Sequence, residues 1–409
     1  MKMLNKEAIR RLQPRTKAIR MPPASARIRN CKGFPQRSRR VKICYSNSCS
    51  TPRHFSPASA SARIEDVNNQ KIQVAVVGVG SFGRNHARVY KELAGQGVEL
   101  AAIVDTDLSR AQTVAAEFGG QAFASLGGML AAFPAMKAIS VAVPTVAHLA
   151  SAREAMERGV DVLIEKPLAL SLAEADALIA LAKQHGRVAQ VGHLERFNPA
   201  VRATWALLSR PMFFEVHRLS VFTPRSLDVD VVLDLMIHDL DIVLKMANSP
   251  VRELRAVGLP VLTGKVDIAS VRIEFESGCI ANFTASRIST ERVRKLRFFQ
   301  PAQYVSLDYS RRDVFSLTVK PTANGVPQVV PYKPQVSDEE PLHAELSSFL
   351  QAVRRRATPE VTLEDGRAAL ALAIDIQRQM AEHNKRAHLD EVAQAMHRAI
   401  AGTADGFTD

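Results

Sequence analysis

The chain has 409 residues, among them 54 lysines and arginines and 41 aspartates and glutamates, which gives a formal net charge of +13. Such an excess would favour a nucleic-acid ligand, but residues 1–70 contain 16 of the basic residues and only 3 of the acidic ones, so 38 of each remain beyond them. The neutral body gives no support for nucleic-acid binding, and no apolar run is long enough to span a membrane.

Residues 1–70 form a leader rich in proline, serine and arginine without apolar periodicity, and this composition predicts disorder. The scarcity of acids resembles an organelle transit peptide, and a misassigned start codon would explain the segment equally well. Three of the four cysteines, Cys31, Cys44 and Cys49, lie here in a spacing that matches no strong zinc motif. The body has only Cys279, so we expect no disulfide framework, no metal site and a reducing, cytoplasmic setting.

An apolar run at 73–77 leads directly into Gly78-Val-Gly-Ser-Phe-Gly83, in which the glycines have GxGxxG spacing. This pattern predicts a strand that turns tightly into a helix whose backbone amides face a diphosphate. Gly78 would permit the turn, Gly80 would let the main chain approach the pyrophosphate, and Gly83 would let helix and strand pack closely. The predicted cofactor contacts in this turn are Gly78, Gly80, Ser81, Phe82 and Gly83.

A second apolar run, at 98–104, ends at Asp105, which lies 22 residues beyond the last glycine of the turn. A carboxylate at this distance is expected to bind the ribose diol of a dinucleotide, and its charge would repel the extra phosphate of NADP. NAD is therefore the predicted cofactor. NADP is the less favoured alternative, because Arg110 could reach a 2′-phosphate. Asp107 is expected to cap the helix that begins near Leu108, and a purely structural role is the alternative for Asp105.

Three further apolar runs, at 138–143, 161–164 and 188–191, alternate with amphipathic helical stretches. Alternation of this kind predicts a parallel sheet with crossover helices. Residues 71–191 are therefore expected to form a doubly wound α/β Rossmann domain that binds a dinucleotide.

The motif Val162-Leu-Ile-Glu-Lys-Pro167 includes the end of the strand predicted at 161–164, where Glu165 and Lys166 would emerge beside the nicotinamide. A lysine suits the oxidation of an alcohol to a ketone, because a positioned ammonium can donate a hydrogen bond to the reacting oxygen and burial can lower its pKa. Lys166 is thus the first catalytic candidate. The alternative is an exposed lysine that simply ends a strand.

Beyond residue 191 the pattern changes to that of an antiparallel sheet. Apolar and polar residues alternate at 269–276, a turn follows at 277–278, and a second alternating run extends through Phe283, which predicts a hairpin. Further strands are expected at 213–222, 293–299, 303–308 and 314–319, and helices at 343–355 and 363–382. Residues 192–390 are predicted to form an α+β substrate and oligomerisation domain that shares a cleft with the first domain, and residues 391–409 a tail.

The stretch from Leu233 to Leu244 places Asp234, His238 and Asp241 at i, i+4 and i+7, so a helix would present them on one face. An imidazole that titrates near neutrality can take a hydroxyl proton, and a carboxylate one turn earlier can fix its tautomer. We therefore predict His238 as general base, oriented by Asp234. The alternative is the polar face of an ordinary amphipathic helix.

The order of GVGSFG, VD, IEKP and DxxxHxxD resembles that of the Gfo/Idh/MocA family of oxidoreductases, over nearly all of residues 71–385. The resemblance implies a nucleotide-binding domain joined to an open-faced sheet domain, with a catalytic lysine, aspartate and histidine at Lys166, Asp234 and His238. It also implies a cis bond between Lys166 and Pro167. The loop after the strand predicted at 138–143 looks like the family's cofactor-facing loop, with contacts expected from Pro144, Thr145 and His148. The alternative for His148 is that it simply starts a helix.

Within the family, the stretches 191–200 and 236–241 look most like the branch of UDP-N-acetylglucosamine 3-dehydrogenases, which serve synthesis of the diamino sugar of lipid A. The resemblance implies oxidation of the sugar C3 hydroxyl to a ketone. Substrate contacts are expected from His193, Glu195, Arg196, Asn198 and Asp241. For the residues of the first stretch, a role in stabilising the loop is an equal alternative.

A nucleotide sugar carries two phosphate charges, and a basic segment at 287–297 could supply counter-charges. Its members are Arg287, Arg292, Arg294, Lys295 and Arg297. Because a strand exposes alternate residues on opposite faces, at most half of them can face one side. A solvated sheet face is the favoured interpretation, so none is predicted as a site residue.

Two alternatives to this function stay open. A dehydrogenase of the same architecture could act on an inositol, a free sugar or another UDP-sugar, and a cofactor-binding regulator would have the same fold without catalysis. Because an open sheet face usually needs a partner subunit to cover it, we expect a homo-oligomer, either dimer or tetramer.

Overall fold

The computed structural model describes residues 71–223 and 229–389. The predicted leader, with its three cysteines, and the predicted tail lie outside these residues. The described chain forms two sheets, a parallel one followed by a larger and mainly antiparallel one, as the sequence predicts. Within this part of the chain, no helix combines the length and apolar character that crossing a membrane requires.

Six parallel strands form the first sheet, and their spatial order is 3-2-1-4-5-6. The strands are β1 (Ile72–Val77), β2 (Val98–Val104), β3 (Gln121–Phe123), β4 (Ala138–Val141), β5 (Asp161–Glu165) and β6 (Ala189–Gly192). The helices that connect them are α1 (Ser81–Glu92), α2 (Leu108–Phe118), α3 (Leu126–Ala132), α4 (His148–Glu157) and α5 (Leu172–Gln184). The strand order reverses between β1 and β4, so the crevice for a ligand opens at the carboxyl ends of these strands.

Eight strands form the second sheet, in the order 14-13-12-11-7-10-9-8. They are β7 (Phe213–Leu219), β8 (Val251–Leu259), β9 (Ile268–Phe275), β10 (Ile280–Ser286), β11 (Val293–Gln300), β12 (Gln303–Asp308), β13 (Asp313–Lys320) and β14 (Gln328–Tyr332). Neighbouring strands are antiparallel except β7 and β10, which run parallel. The predicted hairpin is present as β9 and β10, whereas β8 and β14 are strands that the sequence patterns did not indicate.

Four helices accompany the second sheet in the sequence: α6 (Pro199–Trp205), α7 (Ile237–Ala247), α8 (Pro341–Arg355) and α9 (Leu363–Arg386). A π-helical turn, Val232–Met236, leads into α7. Alternate side chains of the sheet, including Phe214, Phe283 and Phe298, are buried against α7 and α9, and we call this side the inner face. The opposite side, which carries Phe299 and Phe315, is the outer face.

Helices α8 and α9 return the chain to the first sheet. In α8, Leu346 and Phe349 are fully buried in the same apolar cluster as Val74 of β1. At the start of α9, a Cβ on Gly366 would lie 2.7 Å from a methyl group of Val191, so the helix approaches β6 more closely than a larger residue would allow. The domain boundary at 191/192 stays a prediction. Helices that precede this boundary in the sequence and helices that follow it both pack against the first sheet.

Candidate active site

The glycine turn between β1 and α1 has the geometry that its sequence predicts. Gly78 has φ of +84°, and a Cβ there would lie 2.7 Å from the backbone nitrogen of Val143. A Cβ on Gly83 would collide with the Gly78 carbonyl, whereas nothing lies within 4 Å of the position for a Gly80 Cβ. The main chain is therefore accessible at Gly80 only because the other two glycines permit the tight turn and the close helix.

A cavity of about 580 Å³ lies beside this turn, and its lining includes Gly78, Gly80, Asp105 and Pro144. Ser81 and Phe82 are exposed at the start of α1. A helix N-terminus with exposed amides next to an open backbone suits a diphosphate. The cavity and the accessible backbone of the turn fit a dinucleotide, and the individual contacts stay predictions.

Asp105 is held in place by backbone donors at the edge of this cavity. Its Oδ2 accepts a hydrogen bond from the backbone nitrogen of Val79 at 2.9 Å, and its Oδ1 accepts one from that of Asp107 at 2.9 Å. The guanidinium of Arg110 lies 3.3 Å from Oδ1, and its side chain is half exposed. Asp107 caps α2 by accepting from the Arg110 backbone nitrogen, as predicted. The Asp105 carboxylate is thus held at the edge of the cavity, with the long side chain of Arg110 beside it.

The residues predicted to contact the cofactor from the loop after β4 lie in different surroundings. Pro144 lines the cavity, and Thr145 begins a short 3₁₀ turn beside it. His148 is buried, with Nε2 3.0 Å from the Val143 carbonyl and Nδ1 3.3 Å from the Leu168 carbonyl. The prediction that His148 contacts the cofactor is therefore corrected: it begins α4, the stated alternative, and its ring holds two loops together. Burial lowers the pKa of His148, so the ring is neutral and donates to one carbonyl at a time.

Glu165 also differs from its prediction, because its carboxylate points into the first domain rather than into the cavity. Its Oε1 lies 3.0 Å from Nε2 of His86, and Nδ1 of that ring lies 3.0 Å from the hydroxyl of Ser140. The hydroxyl of Tyr90 completes the group at 2.8 Å from Ser140. All four side chains are buried. The structure therefore corrects the assignment of Glu165 as a cofactor contact to that of a buried partner of His86.

Lys166 reaches from the end of β5 to the π-helical turn of the second domain. The bond between Lys166 and Pro167 is cis, as expected. The Nζ atom donates a hydrogen bond to the backbone carbonyl of Asp234 at 2.9 Å and lies 4.0 Å from its Oδ1. Burial lowers the pKa of Lys166, while the charges of Asp234 and Glu165 act in the opposite direction. We call the region around Lys166, Asp234, His193 and His238 the junction, because both sheets contribute to it.

His238 begins the regular part of α7 at the junction. Burial, followed by the positive charges of Lys166 and Arg218, lowers its pKa well below the ordinary value of 6.5. Its Nδ1 is buried without a hydrogen-bond partner among the described residues. The ring of His193 lies nearly perpendicular to it, 6.5 Å between centroids, and both nitrogens of His193 likewise lack partners in the described part. Two neutral imidazoles therefore stand beside the lysine ammonium.

The predicted common face of Asp234, His238 and Asp241 is only partly present. Val232–Met236 is π-helical, which changes the residue spacing before the α-helix begins. No hydrogen bond joins Asp234 to His238 among the described residues, and Asp234 contacts Lys166 instead. The prediction that Asp234 orients the imidazole is corrected accordingly: its contact is with the lysine.

Three of the predicted substrate contacts bind each other or the backbone. Arg196 and Asp241, 4% and 1% exposed, form two hydrogen bonds of 2.7 Å. Asn198 caps α6 through Ala200 and donates to the Tyr309 carbonyl. Because these groups are consumed within the protein, the structure favours loop stabilisation over substrate contact for Arg196 and Asn198, and it corrects the prediction for Asp241 in the same way.

An arginine that the sequence patterns did not single out organises the far side of the junction. Arg218 forms two hydrogen bonds with Asp239, of 2.6 and 3.0 Å, and one of 2.9 Å with Glu195. Its guanidinium also lies 4.9 Å from the centre of the Tyr309 ring. The available signal was strand phase, since Arg218 shares its face of β7 with the buried Phe214. Glu195, predicted to bind substrate, is thereby committed to Arg218.

Comparisons with known proteins agree with this architecture. The model of the Gfo/Idh/MocA oxidoreductase family, NAD-binding Rossmann fold, matches residues 72–193, and the model of the Gfo/Idh/MocA C-terminal domain matches residues 201–299. UDP-N-acetylglucosamine 3-dehydrogenase from Acidithiobacillus ferrooxidans is 36% identical over 308 residues, which cover 75% of this chain and 96% of that enzyme. Inositol 2-dehydrogenase from Acidothermus cellulolyticus is 30% identical over 196 residues, or 46% of this chain and 57% of that enzyme.

Solved structures give the same result. UDP-N-acetylglucosamine 3-dehydrogenase GnnA from Acidithiobacillus ferrooxidans matches with a TM-score of 0.70 and 35% identity, and the match covers 76% of this chain and 97% of that one. Levoglucosan dehydrogenase in complex with NADH, at 18% identity, shares the fold with a TM-score of 0.69 over 76% of this chain and 98% of that one. With family models over both parts of the chain and a 36% identical relative covered almost completely, the chain belongs to the Gfo/Idh/MocA family of NAD-binding oxidoreductases.

Proposed function

We propose that this protein is an NAD-dependent dehydrogenase that oxidises the C3 hydroxyl of UDP-N-acetylglucosamine to a ketone. The observation that carries the proposal is the hydrogen bond from Lys166 to the Asp234 carbonyl, which places the lysine at the turn leading into His238, beside the carboxyl ends of the strands that hold the glycine turn. A relative named for this reaction is 36% identical, which supports the choice of sugar. We further propose that an aminotransferase then uses the ketone in the synthesis of the diamino sugar of lipid A.

The cofactor would be held by the glycine turn and by Asp105. Gly78, Gly80, Ser81, Phe82 and Gly83 would bind the diphosphate, Asp105 the ribose, and Pro144 and Thr145 would border the nicotinamide half. When bound, the nicotinamide supplies the acceptor for the hydride that leaves C3. Lys166 and His238 would act on the hydroxyl of the same carbon, which loses its proton and becomes the ketone oxygen.

In the proposed mechanism, the substrate hydroxyl accepts a hydrogen bond from the Lys166 ammonium and gives its proton to a ring nitrogen of His238. The low pKa of His238 keeps the imidazole neutral, so it can accept the proton. Lys166 stabilises the negative charge that develops on the oxygen. Asp234 positions the lysine through its carbonyl oxygen and maintains its charge. His193 is the remaining predicted substrate contact whose ring nitrogens are not committed elsewhere in the described part.

We expect purified protein to reduce NAD in the presence of UDP-N-acetylglucosamine, with turnover followed at the nicotinamide absorbance. Lys166→Met and His238→Ala should each lower kcat by about 100- to 10,000-fold, because each removes a group that acts on the transferred proton or its oxygen. NAD binding, measured by fluorescence, should be retained in both. Turnover of an inositol or free sugar in place of the nucleotide sugar would overturn the substrate assignment. NAD binding without turnover of any polyol would favour the regulator.

The pH dependence should report the electrostatics of the junction. The charges that face His238 are those of Lys166 after β5, Arg218 on β7 and Arg294 on β11, with His193 after β6. A base whose pKa is lowered stays neutral, and competent, as the pH falls below 6.5. The acidic limb of the kcat/KM profile should therefore lie below pH 6.5. A limb at or above that value would contradict the proposed environment of His238.

Preference for NAD over NADP is a further part of the proposal. The Asp105 carboxylate should disfavour a 2′-phosphate, so kcat/KM with NAD should exceed that with NADP by at least about tenfold. Asp105→Asn keeps the size of the side chain but removes the charge, and it should reduce this preference. Asp107→Asn, at the exposed cap of the same helix, serves as the control. An unchanged preference in Asp105→Asn would contradict the assignment of the carboxylate as the group that disfavours NADP.

We also propose that a second copy of the chain covers the outer face in a homo-oligomer. The support is the exposure of apolar side chains there, with Phe299, Phe315 and Val319 each about 40% exposed. Light scattering should give a dimer or tetramer, and Phe315→Glu should shift it toward the monomer because it introduces a charge into the contact. Val326→Glu, in the exposed loop after β13, is the matched control. A monomeric wild-type protein would refute this part.

A further inference from the structure

Two arginines face each other directly across the second sheet. In the pairing of β7 with β11, Arg218 lies opposite Arg294. The preceding pairs on the same face are Val216 with Leu296 and, beyond it, Phe214 with Phe298, all buried. The inner face thus changes from apolar to doubly cationic at the edge nearest the junction. Like charges at directly opposed positions destabilise a sheet, so this pair needs compensation.

The compensation goes almost entirely to Arg218. Its three guanidinium nitrogens donate to the two oxygens of Asp239 and to Oε1 of Glu195. The other oxygen of Glu195 accepts from Asn198. Each of these four carboxylate oxygens thus already accepts a hydrogen bond from Arg218 or Asn198.

Arg294 is consequently underpaired. Its nearest carboxylate oxygen is Oε1 of Glu195, at 4.0 Å, and Arg218 already donates to that atom at 2.9 Å. No hydrogen bond from the Arg294 guanidinium is found among the described residues, and its side chain is 35% exposed. Burial and the charge of Arg218 both lower the pKa of Arg294, which shows that its surroundings disfavour the positive charge as they stand. An incoming anion would relieve this.

The other basic residues of the segment are placed differently. Lys295 and Arg297 lie on the outer face, where Arg297 bonds to Glu215 at 3.0 Å and Lys295 is paired in register with Asp308. Arg287 lies beside Asp267, and Arg292 is exposed just before β11 begins. Arg294 is therefore the member of this segment that combines the inner face, partial exposure and proximity to His238.

We propose that Arg294 binds the diphosphate of a nucleotide-sugar substrate and so selects nucleotide sugars over free sugars and inositols. The planar guanidinium can donate two parallel hydrogen bonds to phosphate oxygens. The diphosphate is attached at C1 of the sugar, two ring carbons from the C3 that reacts, so its oxygens lie near His238 but not in contact with it. This inference rests on the proposed function, since it names the group that recognises the substrate of the same site.

The test compares Arg294→Gln and Arg294→Lys with Lys295→Gln, which alters the adjacent residue on the outer face. In Arg294→Gln, the KM for UDP-N-acetylglucosamine should rise by about 10- to 100-fold, as expected for loss of hydrogen bonds to a charged group. The kcat and the KM for NAD should change by less than about threefold, since the residue touches neither reacting atom. Arg294→Lys keeps the charge and should be intermediate, and Lys295→Gln should match the wild type.

Binding of UDP alone, measured by calorimetry on protein saturated with NADH, separates this inference from the proposed function. Weaker UDP binding in Arg294→Gln supports the inference even if UDP-N-acetylglucosamine proves not to be oxidised, in which case only the proposed sugar fails. Turnover of that substrate with an unchanged KM in Arg294→Gln overturns the inference and leaves the function standing. A loss of kcat at constant KM, or equal weakening in Lys295→Gln, also overturns it. Should Arg294→Gln misfold, the same criteria apply to Arg294→Lys.

Discussion

A buried guanidinium holds the catalytic side of the second sheet together. Arg218 extends from β7 and bonds twice to Asp239, the residue that follows His238 in α7, and once to Glu195. Removing one member of a buried ion pair costs about 3–5 kcal/mol, because the other charge is left uncompensated. The helix that carries the imidazole is therefore fixed to the sheet one residue from the His238 ring. The position of His238 relative to Lys166 depends on this attachment.

The same arrangement determines the charge of the junction. Lysine and arginine side chains surround an imidazole that is itself largely buried, and both effects favour its neutral form. In the proposed mechanism, the neutral ring accepts the hydroxyl proton and the positive charge of Lys166 favours the anionic oxygen. Burial acts in the same sense on Lys166, but the carboxylates of Asp234 and Glu165 oppose it. The neighbours therefore lower the pKa of the imidazole further, whereas for the lysine they oppose the effect of burial.

The parts of the site that could be predicted from sequence are those in which neighbouring residues determine the geometry. The glycine turn, the Asp107 cap and the position of Lys166 after a buried strand are all local. Contacts between residues that are distant in the sequence could not be predicted from local patterns. Glu165 contacts His86, and Asp241 bonds to Arg196, only because the fold brings them together. A π-helical turn changed the spacing on which the common face was predicted. Short or mixed strands such as β3, β8 and β14 lack clear periodicity and depend on their neighbours for pairing.

Helices α8 and α9 come after the second sheet in the sequence yet contribute to the packing of the first. Leu346 and Phe349 fill the same apolar cluster as β1, and Gly366 sits against Val191 with no room for a methyl group. A hybrid enzyme made by exchanging everything after residue 192 would therefore receive foreign packing for its nucleotide-binding half as well as a new substrate sheet. Substitution of strand residues such as Arg294 leaves that shared packing intact, so it is the more direct way to variants with altered substrates.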